Sequence, residues 1–141
     1  MEKQQTTADF FATELMLAGD VSFEERRTSL LEAARSHLDY HRDACHELHK
    51  AGGRGREVVA CITDMADQLV RNLYHCASAE FPTSGKVCSA VIALGGYGRA
   101  ELNPLSDIDI MFYCSDKNKD LAEKIAERVL YLLWDLNLDV G

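Results

Sequence analysis

Apolar residues recur at every third or fourth position through most of the first eighty residues, a spacing typical of amphipathic helices. Residues 8–18 predict a short helix of this kind. A longer helix begins after Ser22, because Glu25 three positions later completes the pattern of a capping box, and it extends to about Lys50. Its apolar positions keep the helical spacing and are Leu30, Leu31, Ala34, Leu38, Cys45 and Leu48.

The glycine-rich segment 52–55 interrupts this pattern. A second long helix follows, with a broad apolar stripe over residues 58–74. Two long helices joined by so short a segment predict an antiparallel helical hairpin. Turn-forming residues at 81–85 then divide the chain into a helical region, 1–80, and a second region, 81–141.

The hydrophobic pattern changes character in the second region. Residues 87–94 read as a buried strand and residues 108–113 as its partner, because β-branched and aromatic side chains are enriched in both. Residues 121–133 return to the helical period, and residues 136–141 begin a third strand. The predicted fold class is therefore α+β, with an N-terminal helical hairpin followed by the start of a mixed β-sheet with flanking helices.

Composition narrows the possible functions. Of the 141 residues 47% are apolar, which is enough for a packed core, and the net charge of −8 argues against a general nucleic-acid binder, since phosphate backbones require a basic surface. The apolar runs are far shorter than the roughly 20 residues of a membrane span. We see no secretion signal at the start of the chain and expect a cytoplasmic protein.

Cysteine and histidine raise two questions of chemistry. The five cysteines include no Cys-x-x-Cys pair, so we expect reduced, mostly buried thiols. His37, His41, Cys45 and His49 recur every four residues and form one stripe of the first long helix. A zinc site is one interpretation of this stripe. Helix packing is the interpretation we prefer, because His41 and Cys45 share a face with apolar residues.

Asp107 and Asp109 are the most informative residues of the chain. On a strand, side chains two positions apart point to the same face, so both carboxylates should project together. Two such carboxylates repel each other unless a cation lies between them, and hard oxygen ligands suit Mg²⁺, or Mn²⁺ in its place. The alternative is a pair of exposed charges that protects a strand edge from aggregation.

A glycine-rich break precedes the two aspartates. Gly95, Gly96 and Gly98 leave their backbone N–H groups open to an approaching phosphate, although a plain tight turn also explains them. Ser106 either donates its hydroxyl to a phosphate or caps a turn. A phosphate-binding loop shortly before a metal-binding pair is the minimum set of groups for transferring a nucleotidyl group.

Three other residues of this stretch carry alternatives. Arg99 either contacts a phosphate or pairs with Glu101 or Asp107 and shapes the loop. Asn103 and Pro104 predict a rigid turn that sets the angle between the loop and the second strand. We interpret Tyr97 as a packing residue.

The string Gly-Gly-Tyr-Gly-Arg-Ala-Glu-Leu-Asn-Pro-Leu-Ser-Asp-Ile-Asp, residues 95–109, resembles a known family. Gly-Gly followed by Asp-x-Asp is similar to the signature of the polymerase-beta-like nucleotidyltransferase superfamily. The fuller string resembles the amino-terminal catalytic domain of the protein-PII uridylyltransferase/uridylyl-removing enzymes. Leu-Trp-Asp at 133–135 and Asp-Val-Gly at 139–141 are similar to the residues that succeed the motif in that family.

The resemblance implies a specific reaction. A nucleotidyltransferase-type sheet would hold Mg²⁺ on Asp107 and Asp109, with UTP as the nucleoside triphosphate and a tyrosine of a PII-type signal protein as acceptor. The family completes its site with a third carboxylate on a later strand, and neither Asp135 nor Asp139 stands where the pattern places it. We therefore expect a truncated chain whose activity in isolation is weak or absent.

Two other functions stay open from the sequence. The first is a different transferase of the same superfamily, adenylyl- or aminoglycoside-type, because no residue here reads the uracil base. The second is a non-catalytic remnant that binds a nucleotide or a partner. Base preference separates the first from a uridylyltransferase, and nucleotide binding without turnover would favour the second.

Overall fold

The computed structural model describes residues 21–81, 83 and 89–141. The helix predicted over residues 8–18 lies outside these residues, as do Cys88 and most of the turn predicted over residues 81–85.

The first described helix, α1, spans Phe23–Lys50 and begins where its capping signal predicts. The Ser22 hydroxyl accepts a hydrogen bond from the Glu25 N–H at 3.3 Å, and the Glu25 carboxylate accepts one from the Ser22 N–H at 3.0 Å. This reciprocal pair satisfies two of the N–H groups that a helix start leaves without partners. The predicted capping box is confirmed.

Helix α2 spans Gly55–Ala79 and packs along α1, so the predicted hairpin is confirmed. Two glycines make the connection possible. Gly52 has a φ of +86°, and a Cβ on Gly53 would lie 2.7 Å from the carbonyl oxygen of Leu48. Glycine suits both positions, because the left-handed φ at Gly52 and the close approach at Gly53 each disfavour a side chain.

The expectation of reduced cysteines is wrong for two of the five. Cys45 of α1 and Cys61 of α2 form a disulfide, with their Cα atoms 5.8 Å apart. The hairpin places these residues opposite each other across its glycine connection, at a separation that a disulfide spans readily. Among the described residues Cys76 and Cys114 lie outside this disulfide, the first buried and the second half-buried.

The histidine stripe of α1 is explained by packing. His37 is fully buried, and its Nε2 donates to the carbonyl oxygen of Met65 in α2 at 2.9 Å. Its ring contacts the half-buried ring of His41, with the two centroids 4.4 Å apart and the planes tilted by 49°. Cys45, one turn further on, is engaged in the disulfide.

Strands β1, Ser89–Ala93, and β2, Ile110–Cys114, pair in antiparallel fashion. A single helical turn, α3, Gly95–Gly98, occupies the predicted glycine break. Strand β2 begins two residues later than predicted, so Asp107 and Asp109 lie in the segment that leads into the strand. This segment is still extended, because Leu94 N–H bonds to the carbonyl oxygen of Asp109 at 2.8 Å.

Helix α4, Lys119–Asp135, follows β2 after a short 3₁₀ turn and returns the chain to the sheet. Val140 then pairs with Ile108 in parallel orientation, with Ile108 N–H donating to Asp139 and Gly141 N–H donating to Ile108. A parallel pairing needs a crossover connection of this length. Of the third strand predicted over residues 136–141, the structure shows this single bridge at Val140.

One hydrophobic cluster connects the helices to the sheet. Leu69 and Leu73 of α2 and Leu132 and Leu133 of α4 are fully buried in it, and each such side chain contributes about 1.5–3 kcal/mol of burial free energy. The fold class α+β is confirmed. The cluster runs across the proposed boundary at residue 80, and the division into two domains stays a prediction.

None of the helices in the described ranges combines the length and the apolar character that a bilayer span requires.

Candidate active site

Asp107 and Asp109 line one cavity of about 800 Å³ together with Gly96, Arg99 and Ser106. Ile108 between them is buried in the core and holds its backbone against residues 139–141. With Ile108 turned inward, alternation along the extended segment leaves the carboxylates before and after it on the cavity side. Asp107 is exposed and Asp109 is half-buried.

The carboxylate of Asp109 occupies space that two glycines leave open. Gly95 has a φ of +57°, and a Cβ built on it would lie 2.5 Å from Oδ2 of Asp109. A Cβ on Gly141 would likewise collide with Oδ1 of the same carboxylate. Side chains at either position would displace Asp109, so the position of this carboxylate depends on glycine at 95 and 141.

Gly96 and Gly98 have different surroundings. The Gly96 carbonyl accepts from the N–H groups of Arg99 and Glu101, at 3.2 and 2.9 Å, which closes the turn beside the cavity. Gly98 does not line the cavity. Its N–H donates to Leu94 at 2.6 Å, and a Cβ on it would lie 2.6 Å from the carbonyl oxygen of Ala93. Close packing against β1 accounts for this glycine.

Tyr97 is buried and anchors the turn, as the packing interpretation predicts. Its hydroxyl is bonded to the carboxylate of Asp67 in α2, with the charge of Arg71 nearby. Burial and the hydrogen bond to Asp67 raise the pKa of the Tyr97 phenol well above its usual range, so it stays protonated. The glycine turn is thus held against the helical hairpin by a neutral donor.

The alternatives for Arg99 and Ser106 are partly resolved. Arg99 lines the cavity, and its Nε lies 3.6 Å from Oε2 of Glu101. Both side chains are well exposed, so this pair is weak and leaves Arg99 able to exchange partners.

Ser106 closes a turn, since its N–H donates to the carbonyl oxygen of Asn103 at 3.1 Å, and it also lines the cavity. The turn predicted at Asn103 and Pro104 is confirmed.

Neither later aspartate joins the cavity. Asp135 accepts two hydrogen bonds from the guanidinium of Arg27, at 3.0 and 2.5 Å, on the outside of the helices. Asp139 is exposed and precedes the bridged residue Val140 by one position, as Asp107 precedes Ile108. It does not line the cavity.

Sequence reasoning missed the part of the site that α2 supplies. Arg56, Val59 and Ala60 line the cavity from the first turns of this helix. Thr63 reaches the loop before the aspartates, where its Oγ1 accepts a hydrogen bond from the buried N–H of Leu102 at 3.1 Å. Thr63 and Asp67 are polar residues one turn apart beside the apolar stripe of α2, a pattern that indicates a polar contact on this face but not which segment makes it.

A second cavity, of about 510 Å³, lies between the helical hairpin and the loop of residues 102–106 that precedes the aspartates. Its walls are mainly apolar and include Leu69, Leu102 and Ile108, and the two carboxylates do not line it. Ser106 lines both cavities, whereas Asp107 and Asp109 line the first alone of these two.

The donor set of the first cavity suits magnesium. Within the described ranges no group of three or more His, Cys, Asp or Glu side chains is arranged to hold a metal ion. Mg²⁺ commonly uses only one or two carboxylates and takes its other ligands from water and substrate phosphates. Asp107 and Asp109 supply two hard oxygen donors beside a cavity large enough for such a substrate.

Comparison with known proteins identifies the family of this chain. The DUF294 nucleotidyltransferase family matches residues 40–137, a range that includes α2 as well as the motif. The chain is 36% identical over 133 residues to a bifunctional uridylyltransferase/uridylyl-removing enzyme of Azospirillum brasilense, covering 91% of this chain and 14% of that protein. The protein of the same name in Phenylobacterium zucineum is 37% identical over 135 residues, 92% of this chain and 14% of its own length.

A third relative of this name, from Bradyrhizobium diazoefficiens, is 31% identical over 152 aligned positions, which cover 99% of this chain and 16% of that protein. The chain thus spans about a seventh of the length of the relatives that it matches. No solved structure matches the chain. Since the family match covers most of the chain and includes every residue that lines the first cavity, this chain belongs to the DUF294 nucleotidyltransferase family.

Proposed function

We propose that this chain is the nucleotide-binding part of a metal-dependent uridylyltransferase. The substrate is UTP, and the acceptor is a tyrosine hydroxyl of a PII-type signal protein, as the sequence resemblance implies. The observation that carries the proposal is the presence of Asp107 and Asp109 in one cavity beside the glycine turn. The names of the relatives favour uridylyl over other nucleotidyl groups.

Asp107 and Asp109 would hold Mg²⁺, with Mn²⁺ as a substitute. When bound, the cation supplies positive charge that offsets the triphosphate. Asp109 is the more constrained ligand, because its carboxylate is half-buried and enclosed by Gly95 and Gly141. Asp107 is exposed and adapts to the incoming phosphates.

The glycine turn would contact the phosphates through its backbone. We assign this role to Gly96, which lines the cavity, and to Gly95, which adjoins Asp109. Gly98 is left out, because its N–H is already bonded to Leu94. Arg99 and Ser106 line the same cavity and would donate to phosphate oxygens, which suits the fork of a guanidinium in particular.

The reaction is an in-line displacement at phosphorus. The acceptor oxygen forms a bond to the α-phosphorus of UTP while the bond from that phosphorus to the bridging β-phosphate oxygen breaks. Pyrophosphate leaves with the electron pair of the broken bond, and the hydroxyl proton passes to solvent. The contribution of this chain is to bind and orient the nucleotide, so binding is the property to measure.

The test is Mg²⁺-dependent binding of UTP to the 141-residue chain, measured by isothermal titration calorimetry. We expect binding that is lost on removal of Mg²⁺ and weakened at least tenfold in Asp107→Asn and Asp109→Asn, since charged contacts of this kind contribute about 1.5–3 kcal/mol. Asp116→Asn is the matched control, because Asp116 is an exposed aspartate beyond the other end of β2.

Two results would contradict the proposal. Metal-independent binding, or equal binding by the two site variants and the control, removes the role of the carboxylates. A competition series with ATP, CTP and GTP tests the base, and a preference for ATP over UTP favours an adenylyl-type transferase of the same superfamily.

A further inference from the structure

The helical hairpin forms one wall of the candidate active site. Arg56, Val59 and Ala60 of α2 all line the cavity that holds the two aspartates. Val59 and Ala60 follow Arg56 by three and four positions, so both are its neighbours on the helix surface. The basic side chain of this wall is Arg56, and it is exposed to solvent.

The charged side chains around the cavity differ in whether they already have an ion-pair partner. Its acidic side chains are Glu101, Asp107 and Asp109, and its basic side chains are Arg56 and Arg99. Arg99 lies within 3.6 Å of Glu101. Arg56 has no carboxylate within ion-pair distance in the part of the chain that the structure describes. Its five N–H donors are therefore available to an anion in the cavity.

We propose that Arg56 binds the terminal phosphates of the nucleoside triphosphate. This inference rests on the proposed function, and it places the reacting α-phosphate beside the cation that Asp107 and Asp109 would hold. The β- and γ-phosphates must then extend along the cavity, and they carry most of the negative charge. A guanidinium binds such oxygens in a bidentate manner, and Arg56 is the basic side chain of the described cavity wall that no carboxylate engages.

This assignment gives the helical region a part in substrate recognition. Arg56 lies 51 positions before Asp107 in the chain (107 − 56) and is brought to the same cavity by the packing of α2 against the loop. Arg54, the N-cap residue just before this helix, offers a matched comparison. It is also exposed and lies two positions earlier, but it does not line the cavity.

The experiment compares Mg²⁺-dependent binding of UTP and UMP by the 141-residue chain and its Arg56→Gln, Arg56→Lys and Arg54→Gln variants. Far-UV circular dichroism checks that each variant is folded. We expect Arg56→Gln to weaken UTP binding about tenfold or more, since a hydrogen bond to a charged group is lost. Its UMP affinity should stay within about twofold of wild type on the same reasoning, as UMP lacks the terminal phosphates.

The other two variants test whether the effect depends on the guanidinium and on its position. Arg56→Lys keeps the charge but loses the planar fork, so it should lie between wild type and Arg56→Gln. Arg54→Gln should bind both nucleotides like wild type. An Arg56→Gln variant that binds UTP as tightly as wild type overturns the assignment, and so does an equal loss in Arg54→Gln or an equal loss for UMP.

Failure of this inference is distinct from failure of the proposed function. If wild type binds no nucleoside triphosphate in the presence of Mg²⁺, both are overturned. If wild type binds UTP through the aspartates while Arg56→Gln is unaffected, only the role of Arg56 is lost. Should ATP be the preferred nucleotide, the same comparison is made with ATP and AMP.

Discussion

The N–H of Leu102 donates a hydrogen bond to the hydroxyl oxygen of Thr63, 3.1 Å away and 39 positions earlier in the chain. The same hydroxyl donates to the carbonyl oxygen of Val59 at 2.9 Å, one turn back in α2. Both Thr63 and Leu102 are buried. A single side chain thus ties the helix that forms one wall of the cavity to the loop that leads to Asp107.

Thr63→Val tests this tie, because valine has the shape of threonine without its hydroxyl. The substitution leaves the buried Leu102 N–H without an acceptor, so we expect the free energy of unfolding to fall by about 1–3 kcal/mol. Urea unfolding at 25 °C measures it. Thr63→Ser keeps the acceptor and should lose less, and a serine variant less stable than the valine variant would contradict the prediction.

Gly95→Ala tests whether the position of Asp109 depends on glycine. The backbone at Gly95 has a φ of +57°, and the new Cβ would lie 2.5 Å from Oδ2 of Asp109. Displacing that carboxylate should weaken Mg²⁺-dependent UTP binding at least tenfold, the size expected for loss of one charged contact. The measurement is calorimetric titration with UTP at fixed Mg²⁺.

Gly52→Ala is the control for backbone strain. Gly52 has a φ of +86°, and a Cβ there meets nothing within 4 Å. Both substitutions should lower stability by about 1–2 kcal/mol through the left-handed backbone alone. Only Gly95→Ala should affect nucleotide binding. Equal binding by the two variants would show that Asp109 tolerates a side chain at position 95.

Local signals account for the parts of the fold that could be predicted. The start of α1 is encoded by Ser22 and Glu25 within one turn, and the hairpin connection is encoded by its glycines. The start of β2 could not be predicted in the same way. Its position depends on where β1 ends on one side and on how Ile108 pairs with Val140 on the other, and both partners are distant in sequence.

The residues of the candidate site also differ in whether local sequence could place them. Asp107 and Asp109 could be found because two residues on one extended segment share a face. Arg56 and Thr63 could not be placed there, because only the packing of α2 against the loop brings them to it. The Cys45–Cys61 disulfide was missed for the same reason, since its two residues meet only through the register of the hairpin.

Glu80 offers a test of the packing of the three long helices. Its Oε1 accepts from Arg26 at 3.0 Å, and its Oε2 lies 3.4 Å from Arg128. Arg26 is only 1% exposed, so its charge depends on a buried counter-ion. We expect Glu80→Gln to lower the free energy of unfolding by about 3 kcal/mol or more, as in other broken buried pairs.

Glu123→Gln is the matched control for Glu80→Gln. Glu123 lies 3.9 Å from Lys119 on the surface of α4, with both side chains about two-thirds exposed. Surface pairs of this kind contribute at most about 0.5 kcal/mol. Thermal and urea unfolding should therefore separate the two variants clearly, and similar losses would mean that burial of Arg26 does not depend on Glu80.

His37 makes the hairpin sensitive to acid. Burial lowers the pKa of His37 below its ordinary value of 6.5, and the Met65 carbonyl offsets this only in part. In the unfolded chain His37 takes up a proton as the pH falls through about 6.5, whereas in the folded chain it stays neutral to lower pH. The unfolded state then binds more protons, so stability is full above this pH and decreases below it.

We therefore expect the urea midpoint to be lower at pH 5.5 than at pH 7.5, and the difference to be smaller in His37→Gln, which can still donate to the Met65 carbonyl. Burial also lowers the pKa of His41, so part of the difference should remain. His46→Gln, at an exposed position of the same helix, is the control. A His37→Gln variant with the full wild-type difference would show that the acid sensitivity arises elsewhere.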